Sequence, residues 1–514
     1  MATTRRAFLG TAALAGAATF LDRLSPMMLA QTRQGRRVFL HGVASGDPLH
    51  QAVILWTRVT PPPGRREVAV TCEIARDARF TRIAGRTLQM ASAARDFTVK
   101  VDAMGLEPGA TYYYRFSALG EASQVGRTRT LPRETSRVRL AIASCSNLPF
   151  GYFNAYARIA ARQDLDAVLH LGDYIYEYRN TEYGDGTAFG RIPMPDREIT
   201  SLEDYRTRHA QYKSDPDLQE AHRLHPWIVV WDDHEFANNA WRHGAQNHNV
   251  DRDEGPWEAR RDAAIQSYSE WMPIRDDRSS RETRIYRSFA FGKIADLVML
   301  DTRFVGRDQE APKREHIDIL EDPKRTLLGS AQEQWLSNEL RASKQAGVTW
   351  QLLGQQVMFA PMAPKGAPAS NKDTWDGYRP ARDRVLDALA ANGIRNGVIL
   401  TGDVHSSWAY DVSKDPWRDY DPVTGRGAAA VEIVTPAISS PGWGTREPEK
   451  APALSRDYMA ARPHLKWVEG VHRGYATLDI TPARMQADWY FIPTVTERNA
   501  TESFAKGFVS EAGA

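Results

Sequence analysis

The chain has 514 residues, a length that usually divides into at least two domains. Hydrophobic residues make up 42% and charged residues 25%, which excludes a disordered chain and is typical of a globular enzyme. The 66 basic and 64 acidic residues leave a formal charge of +2 without any basic block, so the sequence offers no electrostatic footprint for nucleic acid.

The first residues carry a pattern typical of export signals. Arg5 and Arg6 precede a run of small and apolar residues at 11–21, which two charged residues end. Paired arginines before such a run resemble a twin-arginine (Tat) signal, with a short buried helix or an uncleaved anchor as the alternative. We therefore predict a Tat signal peptide at 1–30, export by the Tat translocase, and a periplasmic or extracellular mature protein. A spanning helix needs about 20 apolar residues, and no segment after the signal is long and apolar enough. We therefore expect no stable membrane span in the mature protein.

Residues 38–130 have the pattern of short strands separated by turns. Strands are predicted at 53–56, 67–74 and 97–101. Tyr112, Tyr114 and Phe116 alternate on one face of a further strand. Because this strand and its preceding turn resemble part of a fibronectin type III domain, we predict a small all-β sandwich here. A polar stretch at 132–137 is the predicted linker.

After the linker, short apolar runs alternate with helical patterns. The candidate strands are 141–144, 167–171, 228–231, 297–300, 351–353 and 398–400. This alternation is typical of a layered α/β domain, which we place at 138–495, with a C-terminal tail at 496–514. Ser330 and Glu333 predict a capping box at the start of a helix that Gly347 ends.

Four polar clusters follow candidate strands at the points where those strands end. They are Ser144-Cys145-Ser146-Asn147, Gly172-Asp173-Tyr174-Ile175-Tyr176-Glu177, Trp231-Asp232-Asp233-His234-Glu235 and Thr401-Gly402-Asp403-Val404-His405. In layered α/β folds, the loops outside the carboxyl ends of strands converge on one crevice. We therefore predict that the four clusters share a site. A tyrosine-rich excursion at 177–222 is too long for an ordinary connection and is predicted to form a wall of that site.

The side chains of these clusters are suited to metal ions. A carboxylate at Asp173 can bridge two cations, a phenolate at Tyr176 suits a trivalent ion, and Cys145 adds a thiolate. His405 supplies an imidazole, and Asp403 projects from the same side of an extended strand end.

Asp233 adds a carboxylate for a second, oxygen-preferring ion such as Ca²⁺. Each residue alone also has an ordinary structural interpretation: a Gly-Asp turn, a packed tyrosine or cysteine, a core histidine, or a solvated pair of aspartates. Four polar insertions at strand ends together favour a metal site over these alternatives.

The order of these motifs resembles that of calcineurin-like and purple acid phosphatases, with two departures. Asp233 stands where the common pattern has asparagine, and Asp403 stands where it has histidine. With Ser144-Cys145 and Gly172-Asp-Tyr-Ile-Tyr-Glu177, these departures are similar to those of the PhoD-type alkaline phosphatases. The likeness covers nearly the whole chain and includes residues 42–48, 300–303, 354–358, 374–378 and 472–475.

The resemblance implies a fold and a set of ligands. The fold is a layered β-sandwich metallophosphoesterase core of the α/β class, flanked by helices, behind the fibronectin III-like all-β domain. The implied ligands of Fe³⁺ are Cys145, Asp173, Tyr176 and His405. One or two Ca²⁺ ions are implied at Asp173, Asp233, Asp403 and Asn238.

Two further residues are candidates for catalysis. His234 is predicted to stabilise the transferred group or to protonate the leaving oxygen. Arg303 is a candidate clamp for phosphate oxygens, with a structural salt bridge as the equal alternative.

The predicted activity is the hydrolysis of phosphate monoesters and diesters by a metal-activated water. Small phosphate esters, an envelope polymer or a phospholipid are the expected substrates. A phospholipase D-like phosphodiesterase on the same scaffold is the alternative enzyme. A noncatalytic protein that binds the cell envelope is the alternative from another class.

The predicted signal can be tested at its arginine pair. Changing Arg5 and Arg6 to Lys keeps the charge but removes the guanidinium pair, so unprocessed precursor should accumulate in the cytoplasm. Cell fractionation and immunoblotting measure both forms, and the same change at Arg36 and Arg37, outside the predicted signal, is the control. Normal amounts of processed protein outside the inner membrane would contradict the prediction.

Overall fold

The computed structural model describes residues 38–275 and 284–513, and the predicted signal at 1–30 lies outside them. Over these ranges the chain forms three β-sheets with helices packed against them. No helix in the described ranges is long and apolar enough to cross a membrane.

Residues 38–130 are all-β. Their strands are β1 (Val43–Gly46), β2 (Ala52–Arg58), β3 (Glu67–Ala75), β4 (Ile83–Ser92), β5 (Thr98–Met104), β6 (Thr111–Ala118), β7 (Glu121–Ala122) and β8 (Gly126–Arg129). Strands β3, β4, β6, β7 and β8 form one layer, and β1, β2 and β5 form the other. Tyr112, Tyr114 and Phe116 are buried between the layers, as their alternation predicts.

The rest of the chain supplies thirteen further strands and the helices of the described residues. The strands are β9 (Val138–Ala143), β10 (Ala167–His170), β11 (Pro226–Val229), β12 (Arg287–Phe291), β13 (Ala295–Met299), β14 (Trp350–Gly354), β15 (Gly397–Thr401), β16 (Ser407–Val412), β17 (Ala430–Val434), β18 (Leu465–Glu469), β19 (Arg473–Ile480), β20 (Arg484–Ile492) and β21 (Ser503–Glu511). The α-helices are α1 (Asn154–Ala161), α2 (Leu202–Lys213), α3 (Pro216–Leu224), α4 (Trp257–Trp271), α5 (Ile317–Leu320), α6 (Ser330–Gln345), α7 (Arg379–Ala391) and α8 (Ala451–Ala460).

Two large sheets form the main sandwich. The nine-stranded sheet has the order β21-β20-β19-β9-β10-β11-β1-β2-β5, and the seven-stranded sheet has the order β12-β13-β14-β15-β17-β16-β18. Strands β9, β10 and β11 run parallel in the first sheet, as do β13, β14, β15 and β17 in the second. Both sheets contribute to one core, which includes Val168, Leu297 and Trp489. The predicted layered α/β class with an N-terminal all-β part is confirmed.

The N-terminal sandwich is joined to the main sandwich through a shared sheet. Strand β1 pairs in parallel with β11, with Ser45 opposite Pro226. Arg287 also forms an ion pair with Asp47, at 2.5 Å, beside this junction. The sequence suggests a separate sandwich, because parallel pairing between distant segments leaves no local signal. Residues 503–511, predicted only as tail, form the edge strand β21 against β20.

Helix α6 starts at the predicted residue but without the predicted capping box. Its N-cap is Gly329, and no side chain caps the first turn. Glu333 instead accepts hydrogen bonds from the guanidinium of Arg384, at 2.8 Å. The capping-box prediction is therefore wrong. Gly347 ends the helix as predicted, with a left-handed φ of +71° that glycine adopts readily.

Candidate functional site

The four predicted clusters meet at one edge of the main sandwich. Cys145 follows β9, Asp173 follows β10, Asp233 follows β11, and Asp403 and His405 follow β15. The carboxyl ends of these strands open on the same edge, which places the loops together. The side chains form three groups, and within each group the possible ligand atoms lie within 4.8 Å of one another. The groups are Cys145 with Asp173 and His405, Asp173 with Asp233 and His234, and Asp232 with Asp233 and Asp403.

The three groups share members and contain unsatisfied oxygens. Asp173 belongs to the first two groups and Asp233 to the last two, so these carboxylates can bridge neighbouring cations. The buried atoms Asp173 Oδ1, Asp232 Oδ2 and Asp233 Oδ1 have no hydrogen-bond partner among the described residues. A buried, unpaired carboxylate oxygen is energetically unfavourable unless a cation binds it. The donor set therefore fits metal ions.

Tyr176 lies within the first of these groups. Its Oη donates to Asp173 Oδ2 at 2.9 Å and lies 3.1 Å from His405 Nε2. Ser440 Oγ lies within hydrogen-bonding distance of that Oη, at 2.8 Å, and of the carbonyl oxygen of Cys145, at 3.1 Å. The phenol oxygen is thus placed beside the thiol, carboxylate and imidazole that share this position.

Burial controls the protonation of these donors. It raises the pKa of the Cys145 thiol and the Tyr176 hydroxyl well above their ordinary values, and the charge of Asp173 adds to both shifts. Burial also opposes ionisation of Asp173, but the charges of His234 and His405 outweigh it and lower its pKa. A cation that binds Cys145 and Tyr176 must therefore displace protons, so its affinity should rise with pH.

Glu177 fixes the orientation of His234. The carboxylate Oε2 of Glu177 lies 2.8 Å from His234 Nδ1, and its Oε1 accepts from the backbone N–H of Asn238 at 2.6 Å and the side-chain amide of Asn247 at 2.9 Å. Against the effect of burial, the charges of Asp233, Glu177 and Asp173 raise the pKa of His234 well above its ordinary value. A carboxylate acceptor places a proton on Nδ1 and turns Nε2 to the opposite side of the ring. That nitrogen is the one available to the group formed with Asp173 and Asp233.

His405 is oriented in the same manner. Its Nδ1 lies 3.3 Å from the carbonyl oxygen of Pro441, which can only accept, so Nδ1 carries the proton. Its Nε2 then faces the Oη of Tyr176 and the Oδ2 of Asp173, the latter at 3.8 Å. Tyr183 Oη lies 3.3 Å from Nδ1, which places part of the excursion at 177–222 against the site.

Four of the predicted ligands have left-handed backbone conformations. Cys145, Asp173, Asp403 and His405 have φ values of 61°, 56°, 60° and 55°. Such values are uncommon outside glycine and persist only where surrounding contacts enforce them. The strand ends are thus bent to direct these four side chains towards one position.

Contacts around Gly172 and Glu235 enforce one of these bends. Gly172 has φ +100°, and a Cβ there would lie 2.4 Å from the Cβ of Asp232. Glu235 accepts hydrogen bonds from the backbone N–H groups of Asp173 at 3.0 Å, Tyr174 at 2.6 Å and Asp232 at 2.7 Å. One carboxylate therefore links the loops after β10 and β11.

Arg303 lies fully buried beneath the aspartates. Its Nε donates to Asp232 at 2.5 Å, and Nη1 and Nη2 donate to the two oxygens of Asp373 at 2.7 and 3.0 Å. Nη2 also lies 3.4 Å from Asp233 and 3.6 Å from Asp403. The guanidinium is committed to protein carboxylates, which favours the structural interpretation over a phosphate clamp.

Asn238 has a different environment from the other predicted ligands. Its side-chain amide donates to Gln246 Oε1 at 2.6 Å. The structure does bring together Cys145, Asp173, Tyr176, Asp233, Asp403 and His405, with His234 and Asp232 beside them.

Several residues that support these ligands are not among those predicted from the sequence. Glu177 and Glu235 lie within the quoted motifs, and their positions three residues after Tyr174 and Asp232 were a usable signal. Asp373 lies in an irregular connection, and Ser440 lies in the loop after β17, a strand that was not among the predicted ones.

Comparisons with known proteins extend over most of the chain. A family model described as PhoD-like phosphatase matches residues 140–489, and one described as PhoD-like phosphatase, N-terminal domain, matches residues 25–132. The chain is 38% identical over 487 residues to alkaline phosphatase D of Bacillus subtilis (strain 168), covering 92% of this chain and 80% of that protein. A solved structure of PhoD has a TM-score of 0.83 at 37% identity, covering 93% of this chain and 91% of its own. The predicted resemblance and fold are confirmed.

The role of Arg303 can be tested by removing its charge. Arg303→Met leaves buried carboxylates unpaired, so the free energy of unfolding should fall by about 3–5 kcal/mol. Arg418, whose side chain is 75% exposed beside Asp419, is the control, and Arg418→Met should change stability by less than about 1 kcal/mol. Denaturant unfolding measures both. Unchanged stability of Arg303→Met with a raised KM for phosphate esters would instead assign Arg303 to substrate binding.

Proposed function

This chain belongs to the PhoD-like phosphatase family and is a phosphoric ester hydrolase, and we propose that it cleaves phosphate monoesters and diesters at a mixed Fe³⁺ and Ca²⁺ centre. One observation carries the proposal: Asp173 joins the first ligand group to the second, and Asp233 joins the second to the third. Adjacent cations can hold both the attacking and the ester oxygens of a phosphate, and bridging carboxylates keep such cations together.

The donor types support the assignment of the metals. Cys145, Tyr176 and His405 offer a thiolate, a phenolate and an imidazole around Asp173, a mixture suited to a transition metal such as Fe³⁺. The neighbouring group of Asp232, Asp233 and Asp403 offers only carboxylate oxygens, which suit Ca²⁺.

Protein side chains would orient the ester and manage its protons. When bound, the cations supply Lewis-acid charge that activates the attacking water and neutralises phosphate oxygens. His234, held through Nδ1 by Glu177, presents Nε2 beside Asp173 and Asp233, where it can protonate the leaving oxygen. Tyr176 stacks on the His234 ring at a centroid distance of 4.3 Å and restricts its rotation.

The proposed activity requires Asp173. Asp173→Ala removes the shared carboxylate. Loss of a residue that only supports a metal ligand lowers activity by up to about a hundredfold, so loss of the ligand itself should lower turnover by more than that. Hydrolysis of p-nitrophenyl phosphate and bis-p-nitrophenyl phosphate, with elemental analysis, measures activity and metal content. Asp387→Ala, at a surface ion pair with Lys414, should retain both. Turnover of Asp173→Ala within tenfold of the parent would overturn the bridging role.

The proposed iron can be tested by colour. A phenolate bound to Fe³⁺ absorbs visible light through charge transfer, so Tyr176→Phe should shift or bleach that band at nearly constant side-chain volume. Tyr183→Phe is the matched control, because Tyr183 Oη contacts Nδ1 of His405 and not its Nε2. Visible absorbance and iron analysis measure the result. A colourless, iron-free parent enzyme with full activity would overturn the Fe³⁺ assignment and leave phosphate-ester hydrolysis with another metal.

A further inference from the structure

A cavity of about 360 Å³ adjoins the proposed centre and has no role in the chemistry described above. Asn239, in its wall, donates its backbone N–H to Asp233 Oδ2 at 2.6 Å. Gln246, also in its wall, accepts from the side chain of Asn238, whose backbone N–H donates to Glu177. The cavity thus lies one residue away from a shared ligand, Asp233, and is linked through Asn238 to the carboxylate that orients His234.

The charges lining the cavity cancel. Glu310 lies 3.3 Å from the ammonium of Lys372 and accepts from the side-chain amide of Asn239 at 2.7 Å. Lys372 also donates to the carbonyl oxygen of Ala311 at 2.9 Å. Because the ammonium is already paired with a carboxylate, the described residues that line the cavity offer no free cation to attract a second anionic group. It favours a neutral ligand.

Trp241 gives the cavity a fixed aromatic wall. Its backbone N–H donates to Gly244 at 2.8 Å and its carbonyl accepts from Gly244 at 3.3 Å, which closes a tight loop. A Cβ on Gly244 would lie 2.5 Å from the indole Cζ2, so the ring rests directly on this glycine. Such support keeps the half-buried indole in place without a ligand.

The lining combines this indole with hydrogen-bonding amides. The side chains of Asn239, Gln246 and Gln309 stand beside Trp241, and Ala245 and Pro312 complete the wall. An aromatic face binds the flat or C–H face of a ring, while amides bind hydroxyl groups. The volume lies within the range of small-molecule sites, at about 300–1,000 Å³.

We propose that this cavity binds the alcohol part of the phosphate ester, and that this part is an uncharged, hydroxylated ring such as a sugar or a nucleoside. The inference rests on the proposed phosphoesterase function and specifies its substrate class. Trp241 positions the ring, and the scissile phosphate then lies at the cluster beyond Asn239. A substrate without a ring would gain nothing from the cavity.

Turnover of matched esters tests the proposal in the metal-loaded, full-length enzyme. We expect Trp241→Ala to lower kcat/KM for glucose 6-phosphate or adenosine 5′-monophosphate by about tenfold or more, the effect of losing one aromatic stacking contact. Methyl phosphate, which cannot fill the cavity, should change less than twofold. Trp241→Phe should restore most of the loss, and Trp417→Ala, at a different cavity, should change neither substrate. A loss confined to glucose 6-phosphate identifies the ring as a sugar, and a loss confined to adenosine 5′-monophosphate identifies it as a nucleoside.

Binding of phosphonate analogues, in which carbon replaces the ester oxygen, separates this proposal from the proposed function. Calorimetry should give a Kd for the ring phosphonates that Trp241→Ala weakens by about tenfold, and a Kd for methylphosphonate that it leaves unchanged. That result supports the cavity even if no ester is turned over, in which case only the proposed function fails. Equal effects of Trp241→Ala on ring and methyl compounds, in either assay, would overturn the cavity assignment.

Discussion

The site is assembled around the buried guanidinium of Arg303, whose positive charge partly offsets the aspartates that surround it. Arg303 contacts four aspartates on three loops, namely Asp232 and Asp233, Asp373, and Asp403. Only arginine offers enough donors in a fixed plane to satisfy carboxylates from several directions. Arg303, with Arg307 beside Asp373, brings two positive charges against four carboxylates, and the buried Asp173 Oδ1 and Asp232 Oδ2 have no hydrogen-bond partner among the described residues. The excess negative charge is what makes the cluster suitable for metal ions.

The left-handed residues at the strand ends position the charged side chains of the cluster. Each left-handed residue among the ligands places its side chain where an extended strand would not, and the fold must hold it there. Glu235 and Ser440 do so by bonding the backbone of the Asp173 and Cys145 loops. The ligand positions are therefore set before a metal binds, which reduces the reorganisation required on binding.

The sequence contains the positions of the ligands but little of what surrounds them. Asp173 and Asp403 are recognisable because an apolar strand ends just before them, and parallel strands bring such ends together. Asp373 lies in an irregular connection, so its pairing with Arg303 depends on a tertiary contact that no local pattern encodes. The pairing of β1 with β11 is likewise a contact between distant segments that no local pattern predicts. The missing cap at Ser330 shows that a local motif also fails where the preceding glycine starts the helix.

The order of strands in the nine-stranded sheet has a consequence for biosynthesis. Strand β9 lies between β10 and β19, and Val138 pairs with Ile480, so the centre of the sheet joins segments made far apart in time on the ribosome. Contacts of such large sequence separation form slowly, because a long loop must close first. The loop that carries Cys145 follows β9, and this strand has both of its neighbours only when β19 is available. The sheet beside this loop therefore cannot be completed until nearly the whole chain has been synthesised, and until then the exposed edge of β9 is a surface that chaperones can bind.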